Sequence, residues 1–257
     1  MTMANDSGNG APAAPIPILG EYFSNERDRV EFVNNLFDDT AADYNRVERV
    51  LGFGSGPWYR RQALIRAGLK PGLKVLDVGT GTGLVAREAI RVVGQPGLVT
   101  GVDPSPGMLA ETKLPKEVSM LQGRAEKIPV ADNDYDFLSM GYALRHISDL
   151  ESAFREFHRV LRPGGSFAIL EITRPQGKIS SALLRLYMRG LVPTLSGLIT
   201  GHKKTKTLMQ FYWDTIEVCM RPEQIIELLR SAGFENVRRH VELGLFSEYQ
   251  GNKPKSR

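Results

Sequence analysis

The chain has 257 residues, 42% of them hydrophobic and 24% charged, with a formal net charge of +4. That length supports one domain with a substantial core and an appended cap, and the mild basic excess is compatible with an anionic membrane surface or nucleic acid without requiring either. A single cysteine, Cys219, excludes an intramolecular disulfide and a cysteine-based zinc site. The absence of any run of roughly 18 apolar residues, and of a basic-then-apolar leader pattern, points to a cytoplasmic setting.

Residues 1–20 are rich in Ala, Pro, Gly and Asn without periodicity, and a disordered tail is expected there. A single domain is expected over 21–252, with 21–70 as a helical cap and 253–257 as a basic tail. Ser24 is placed to cap a helix carrying Val30, Val33, Leu36 and Phe37 on one face. Thr40 is placed to cap a second, with Tyr44, Val47, Val50 and Leu51 on one stripe. Gly52 to Gly56 breaks the pattern, and Ser55 with Pro57 starts a third helix through Trp58, Leu64 and Ile65, ending near Gly68.

Next comes Lys74 to Val85. Val75, Leu76, Asp77 and Val78 read as a strand, Gly79-Thr80-Gly81-Thr82-Gly83 as a turn, and Leu84 onward as a helix. This is the first half of a nucleotide-binding βαβ unit, in which glycines admit a ligand to the backbone and a helix N-terminus favours an anionic group. The glycines alternate strictly, unlike the G-x-G-x-x-G of dinucleotide folds, and an acid precedes the turn. Both features point to S-adenosylmethionine (SAM), which has no pyrophosphate.

The β and α patterns then alternate. Leu98 to Val102 is a strand ending at Asp103, and a short helix follows from Ser105 through Met108 and Leu109. Val118 to Leu121 and Tyr135 to Met140 are the third and fourth strands. Leu150 to Leu161 is a helix, Pro163-Gly164-Gly165 a turn, and Ser166 to Leu170 a fifth strand ending at Glu171. Residues 178–217 form an apolar insertion, expected to cover a substrate. The helix Pro222 to Ala232 and two closing strands, Val237 to Val241 and Leu245 to Tyr249, complete the chain. The expected fold is α/β: a Rossmann-like, mostly parallel seven-stranded sheet with helices on both faces, an antiparallel last strand, an N-terminal helical cap and a helical insertion after strand five.

Asp103 lies twenty residues beyond Gly83, where an acid accepts hydrogen bonds from ribose hydroxyls or, alternatively, caps the next helix. Ligands in open α/β sheets bind beyond the carboxyl ends of the strands. Asp103, Arg124, Ala125, Gly141, Tyr142 and Glu171 are therefore expected to converge on the glycine turn.

At these residues the chain resembles a class I SAM-dependent methyltransferase, and within that class it is similar to the ubiquinone/menaquinone C-methyltransferase family. The resemblance rests on 75–83, Gly101-Val102-Asp103-Pro104-Ser105, Ala125-Glu126-Lys127-Ile128-Pro129, Ala143-Leu144-Arg145-His146, Arg159 to Gly165, Leu170 to Thr173, Tyr44 to Val47 with Trp58, and Ser231 to Phe234. It implies SAM as cofactor, with the glycine loop Gly79, Thr80, Gly81, Thr82 and Gly83 at the methionine end, Asp103 at the ribose, Arg124 and Ala125 flanking the adenine, Gly141 at the substrate side, and Asp77, Pro104 and Met108 as further cofactor-binding residues. It also implies C-methylation of a prenylated quinol or phenol, with Tyr44, Tyr142 and Tyr212 as substrate-binding residues. Arg124 stands where the family has Asn or Asp, His146 and Glu48 where it has Asn, and Leu84 where it has an acid.

Carbon methylation needs deprotonation of a neighbouring hydroxyl and stabilisation of the oxyanion. Arg145 is read as an oxyanion stabiliser or as a surface salt bridge. His146 is read as a general base or as a cap for a helix starting at Ser148. His202 is a further lid candidate. Lys203, Lys204 and Lys206 are a solvated loop or a contact for lipid headgroups or a phosphorylated substrate. No metal-ligand spacing is present. No nucleic-acid motif is present either, so the expected partners are a small hydrophobic acceptor and a peripheral membrane surface, with a homodimer left open. Methylation of an isoprenoid diphosphate or another metabolite, and SAM binding without turnover, are the alternatives.

Overall fold

The computed structural model describes residues 13–51, 54–175, 177–192 and 203–255. Its centre is a seven-stranded sheet: β1 (Val75–Val78), β2 (Val99–Asp103), β3 (Ser119–Gln122), β4 (Tyr135–Gly141), β5 (Leu161–Ile172), β6 (Glu235–Glu242) and β7 (Phe246–Asn252). The spatial order is β3-β2-β1-β4-β5-β7-β6. The first five strands are parallel, and β7 inserts antiparallel between β5 and β6. Every residue of β1 and β2 is buried, as expected of strands covered on both faces.

Eight helices are described: α1 (Glu26–Leu51), α2 (Gly56–Arg66), α3 (Leu84–Val93), α4 (Pro106–Ala110), α5 (Leu150–Val160), α6 (Lys178–Arg185), α7 (Lys203–Val218) and α8 (Pro222–Ser231). Side chains on β4 alternate between two cores. Leu138 and Met140 pack with Phe154 and Phe157 of α5 and Ile225 and Leu229 of α8. Phe137 points the other way, towards Leu64 of α2 and Ala86 and Ala89 of α3. A third core joins Val33 and Leu36 of α1 to Leu208, Phe211, Trp213 and Ile216 of α7. This last core sets α1 and α7 over the carboxyl ends of the strands.

Three local expectations are corrected. The two helices expected on either side of Thr40 are one helix of 26 residues. Thr40 does not cap: its buried hydroxyl donates back to the Leu36 carbonyl at 2.6 Å, which leaves the helical ladder uninterrupted. Residues 13–20, expected in the tail, are tied down. Ile16 is buried in the third core, Leu150 N–H donates to Ala13 O at 3.1 Å, and Met220 N–H donates to Pro15 O at 2.7 Å. The expectation for 1–12 lies outside the described residues. The turn Pro163-Gly164-Gly165 sits inside β5 as a bulge, between the Tyr135–Leu161 and Phe137–Ser166 pairings, with Gly164 at φ 82°.

Candidate active site

The chain leaves β1 towards β2 on one side and reaches β4 on the other, so the crevice opens beside the turn after β1. Gly79, Gly81 and Gly83 all have positive φ, at 64°, 54° and 83°. A Cβ built on Gly81 would meet nothing within 4 Å, because that position faces the open cleft. The turn is braced from beneath. Asp77 is fully buried and accepts from Thr80 Oγ1 at 2.7 Å, Ser139 Oγ at 2.6 Å and Ala86 N–H at 3.1 Å. Burial pushes its carboxyl up to about 6, against the pull of these donors. Gly83, at the N-cap of α3, has no side chain to offer, and Asp77 takes the Ala86 amide, so the amides of Leu84 and Val85 remain for a ligand.

A cleft of about 1080 Å³, open to solvent, runs along this edge. Gly79, Thr80, Gly81 and Thr82 line it, as do Asp103, Pro104, Met108, Arg124, Ala125, Gly141, Tyr142 and His146, with Tyr44 and Tyr212 above them. Asp77 and Gly83 do not: Asp77 spends its oxygens on the brace, and Gly83 packs beneath Leu114. Their part is to shape the turn.

Asp103 ends β2. It accepts from Gly81 N–H at 2.7 Å and from Ser105 N–H at 2.9 Å, and burial raises its pKa to about 6. Ser105, not Asp103, caps α4, through Met108 N–H at 3.0 Å. Each carboxylate oxygen has a second lone pair, so Asp103 can still accept from a ribose diol. Arg124 turns its guanidinium outward to Ser148 Oγ at 3.0 Å and Glu126 at 3.3 Å, leaving Ala125 and the backbone to face the cleft. Gly141 is an obligate glycine, since a Cβ there would collide with Val85 Cγ2. Tyr142, next to it, has φ 60°, a strained value for a tyrosine.

The opposite wall is aromatic. His146 lies 5.2 Å from Phe37, 5.6 Å from Phe211 and 5.9 Å from Tyr212, centroid to centroid. Both its ring nitrogens are buried without a hydrogen-bond partner among the described residues. Burial, then Arg145 and Arg29, hold its pKa well below the usual imidazole value, so the ring is neutral. It does not cap α5; Asp149 does, accepting from Glu151 N–H at 3.1 Å. Tyr44 of α1 and Tyr212 of α7 join hydroxyls at 2.8 Å.

Arg145 is neither on the surface nor on the cleft wall. It is fully buried, paired with Glu171, donates to Thr215 Oγ1 at 3.1 Å, and lies 4.3 Å from the centroid of the Tyr212 ring. Burial works against its charge, but Glu171 beside it more than restores it. Glu171 therefore meets Arg145 and not the glycine turn. Lys204 pairs with Asp39 at 2.7 Å, and His202 lies outside the described residues. No group of three or more metal-ligating side chains exists among the described residues.

Sequence reasoning missed three contributors. Asp38 of α1 accepts from Ser105 Oγ and from Gly107 N–H at 2.9 Å, and Asn45 accepts from Thr82 Oγ1 at 2.6 Å, so α1 is pinned to both cofactor-side loops. Arg60 of α2 also lines the cleft. The readable signal for Arg60 was an arginine pair, Arg60-Arg61, beside the apolar stripe of α2; Asp38 carried none.

The glycine turn with open space over Gly81, the acid at the end of β2 and the open Leu84 and Val85 amides of α3 fit SAM. Comparison with known proteins agrees. The model of the ubiE/COQ5 methyltransferase family matches residues 23–253. The ubiquinone/menaquinone biosynthesis C-methyltransferases UbiE of Shewanella putrefaciens and Shewanella baltica are each 32% identical over 216 residues, covering 81% of this chain and 85% of theirs. Among solved structures, a SAM-dependent methyltransferase from Aquifex aeolicus superposes with TM-score 0.54 at 24% identity, covering 75% of this chain and 88% of that one. The [4+2]-cyclase SpnF superposes with TM-score 0.61 at 17% identity, covering 97% and 100%. These structures share the fold. Motifs, site and relatives together establish that the chain is a SAM-dependent methyltransferase and belongs to the ubiE/COQ5 methyltransferase family.

Proposed function

We propose that this enzyme methylates a ring carbon of a prenylated quinol or phenol. The observation that carries this reading is the aromatic wall that Phe37, Tyr44, His146 and Tyr212 present to the cleft. When bound, SAM supplies an electrophilic methyl on a sulfonium. The chain's own residues must then hold an aromatic ring flat and withdraw a proton from its hydroxyl. The aromatic walls do the first. Neutral His146, with both nitrogens unpartnered, has a lone pair for that proton, though burial beside Arg145 and Arg29 makes it a weak base. Arg145 acts through Tyr212: paired with Glu171, it lies under that ring and fixes the position of the Tyr44–Tyr212 hydroxyl edge.

The UbiE relatives are named for ubiquinone and menaquinone biosynthesis. A prenylated acceptor would be drawn from a bilayer. Leu183 and Leu186 of α6 and the π-helical stretch after it are 63% and 70% exposed, with exposed Arg185 and Arg189 alongside. Such a strip suits an anionic lipid surface. The ion pair of Lys204 with Asp39 weighs against an isoprenoid diphosphate at the lysine run.

The test is incubation with trideuteromethyl-SAM and a panel of reduced demethylated prenyl quinols, simple phenols, amines and isoprenoid diphosphates. Mass spectrometry should find the label on a ring carbon of a quinol. Label on oxygen or nitrogen, or transfer only to a non-aromatic acceptor, would overturn the reading.

A further inference from the structure

We infer that Arg60 binds the carboxylate at the methionine end of the cofactor, with Glu48 as its positioning residue. Arg60 is 4% exposed yet lines the cleft. Its Nη2 donates to Glu48 Oε1 at 2.7 Å, while its buried Nε has no partner among the described residues. Glu48 already meets the charge, so what remains open is hydrogen-bond donor capacity, which an acceptor entering the cleft would fill.

Position identifies the anion. The guanidinium lies 5.6 Å from the ring centroid of Tyr142, the residue after Gly141, and lines the same cleft as the glycine turn. The other arginine lining the cleft, Arg124, stands past β3 near Asp103 and is committed to Glu126 and Ser148. SAM has one carboxylate, at the end opposite its adenosine. With the ribose at Asp103, that carboxylate is directed away from Arg124 and towards Arg60. Guanidinium geometry suits a two-oxygen acceptor. Glu48 does not line the cleft; it holds the fork from behind, and the pair leaves no room at Gly56, where a Cβ would approach Arg60 Nη1 to 2.6 Å. A purely bracing role for the pair, tying α1 to α2, would affect all ligands alike, and this separates the two roles.

The experiment is calorimetric titration with S-adenosylhomocysteine, with 5′-methylthioadenosine, which keeps the adenosine and thioether but lacks the amino-acid group, and with decarboxylated SAM. In the unmutated protein, decarboxylated SAM should bind at least tenfold more weakly than SAM. Arg60→Gln should weaken S-adenosylhomocysteine at least tenfold, leave 5′-methylthioadenosine within twofold, and abolish the preference for SAM over its decarboxylated form. Arg60→Lys should recover part of the loss. Equal binding of SAM and decarboxylated SAM to the unmutated protein would overturn the assignment even if no Arg60 variant folds. So would parallel weakening of both thioether ligands by Arg60→Gln, or a change confined to the acceptor's KM.

Discussion

Asp77 and Asp103 lie near the carboxyl ends of neighbouring strands, are both buried, and have both been pushed from 3.8 to about 6, yet their duties differ. Asp103 faces the cleft, and a carboxylate accepts from ribose hydroxyls better than a carboxyl does. S-adenosylhomocysteine should therefore bind more weakly as pH falls below about 6, by at most about tenfold per unit. Asp103→Asn should bind weakly at every pH and lose that dependence; a pH-independent wild type in titration calorimetry would refute this. Asp77 faces inward. Its pKa is raised in the folded state, so its contribution to stability is complete below pH 3.8 and is lost as pH rises through about 6. The loss amounts to up to about 3 kcal/mol. Asp77→Asn cannot titrate, so urea melts should show its stability relative to wild type improving from pH 4 to 7; a constant difference would contradict the assignment. These two acids and the glycines were legible because a strand, a turn and a helix start are local in sequence. Arg60, Asp38 and the burial of Arg145 were not, because each depends on a partner brought by another element.

In the proposed reaction the paired roof of α1 and α7 handles the acceptor. The Tyr44–Tyr212 hydroxyl contact spans 168 positions in sequence, so no local pattern could announce it. Tyr212→Phe keeps the aromatic wall and removes one hydroxyl. We expect kcat to fall by about tenfold or more while S-adenosylhomocysteine affinity stays unchanged; equal losses in both would show the hydroxyl to be structural. The sequence did show α7 as part of an apolar insertion. It misled at Thr40, since a threonine between two apolar stripes reads as a cap until the back-bond to Leu36 is seen. It misled again at residues 13–20, where composition suggests a tail but Ile16 finds a pocket. At α6, replacing Leu183 and Leu186 together by Asp should abolish co-flotation with anionic vesicles and leave turnover of a short-chain, water-soluble quinol intact. Unchanged flotation would remove the lipid contact from consideration.

At the scale of the whole molecule, β1 to β5 with their helices form the part that sequence alternation specified well. No described helix is long and apolar enough to cross a membrane. The cap attaches to this scaffold through polar ties, Asp38 to Ser105 and Gly107 and Asn45 to Thr82, at the loops a cofactor would occupy. A ligand seated there meets cap and scaffold together, and a cofactor analogue should raise the melting temperature through linkage. The order of the last strands has a further consequence. β6 precedes β7 in the chain, yet it bonds only to β7, which in turn bonds to β5. During synthesis β6 leaves the ribosome with no edge to join, and the β5 edge stays open until residues 246–252 emerge. The two strands must then add together, as a hairpin. Until that moment the nascent chain exposes an unpaired hydrophobic strand edge, the kind of surface that chaperones recognise and that aggregates when a ribosome stalls late in the message.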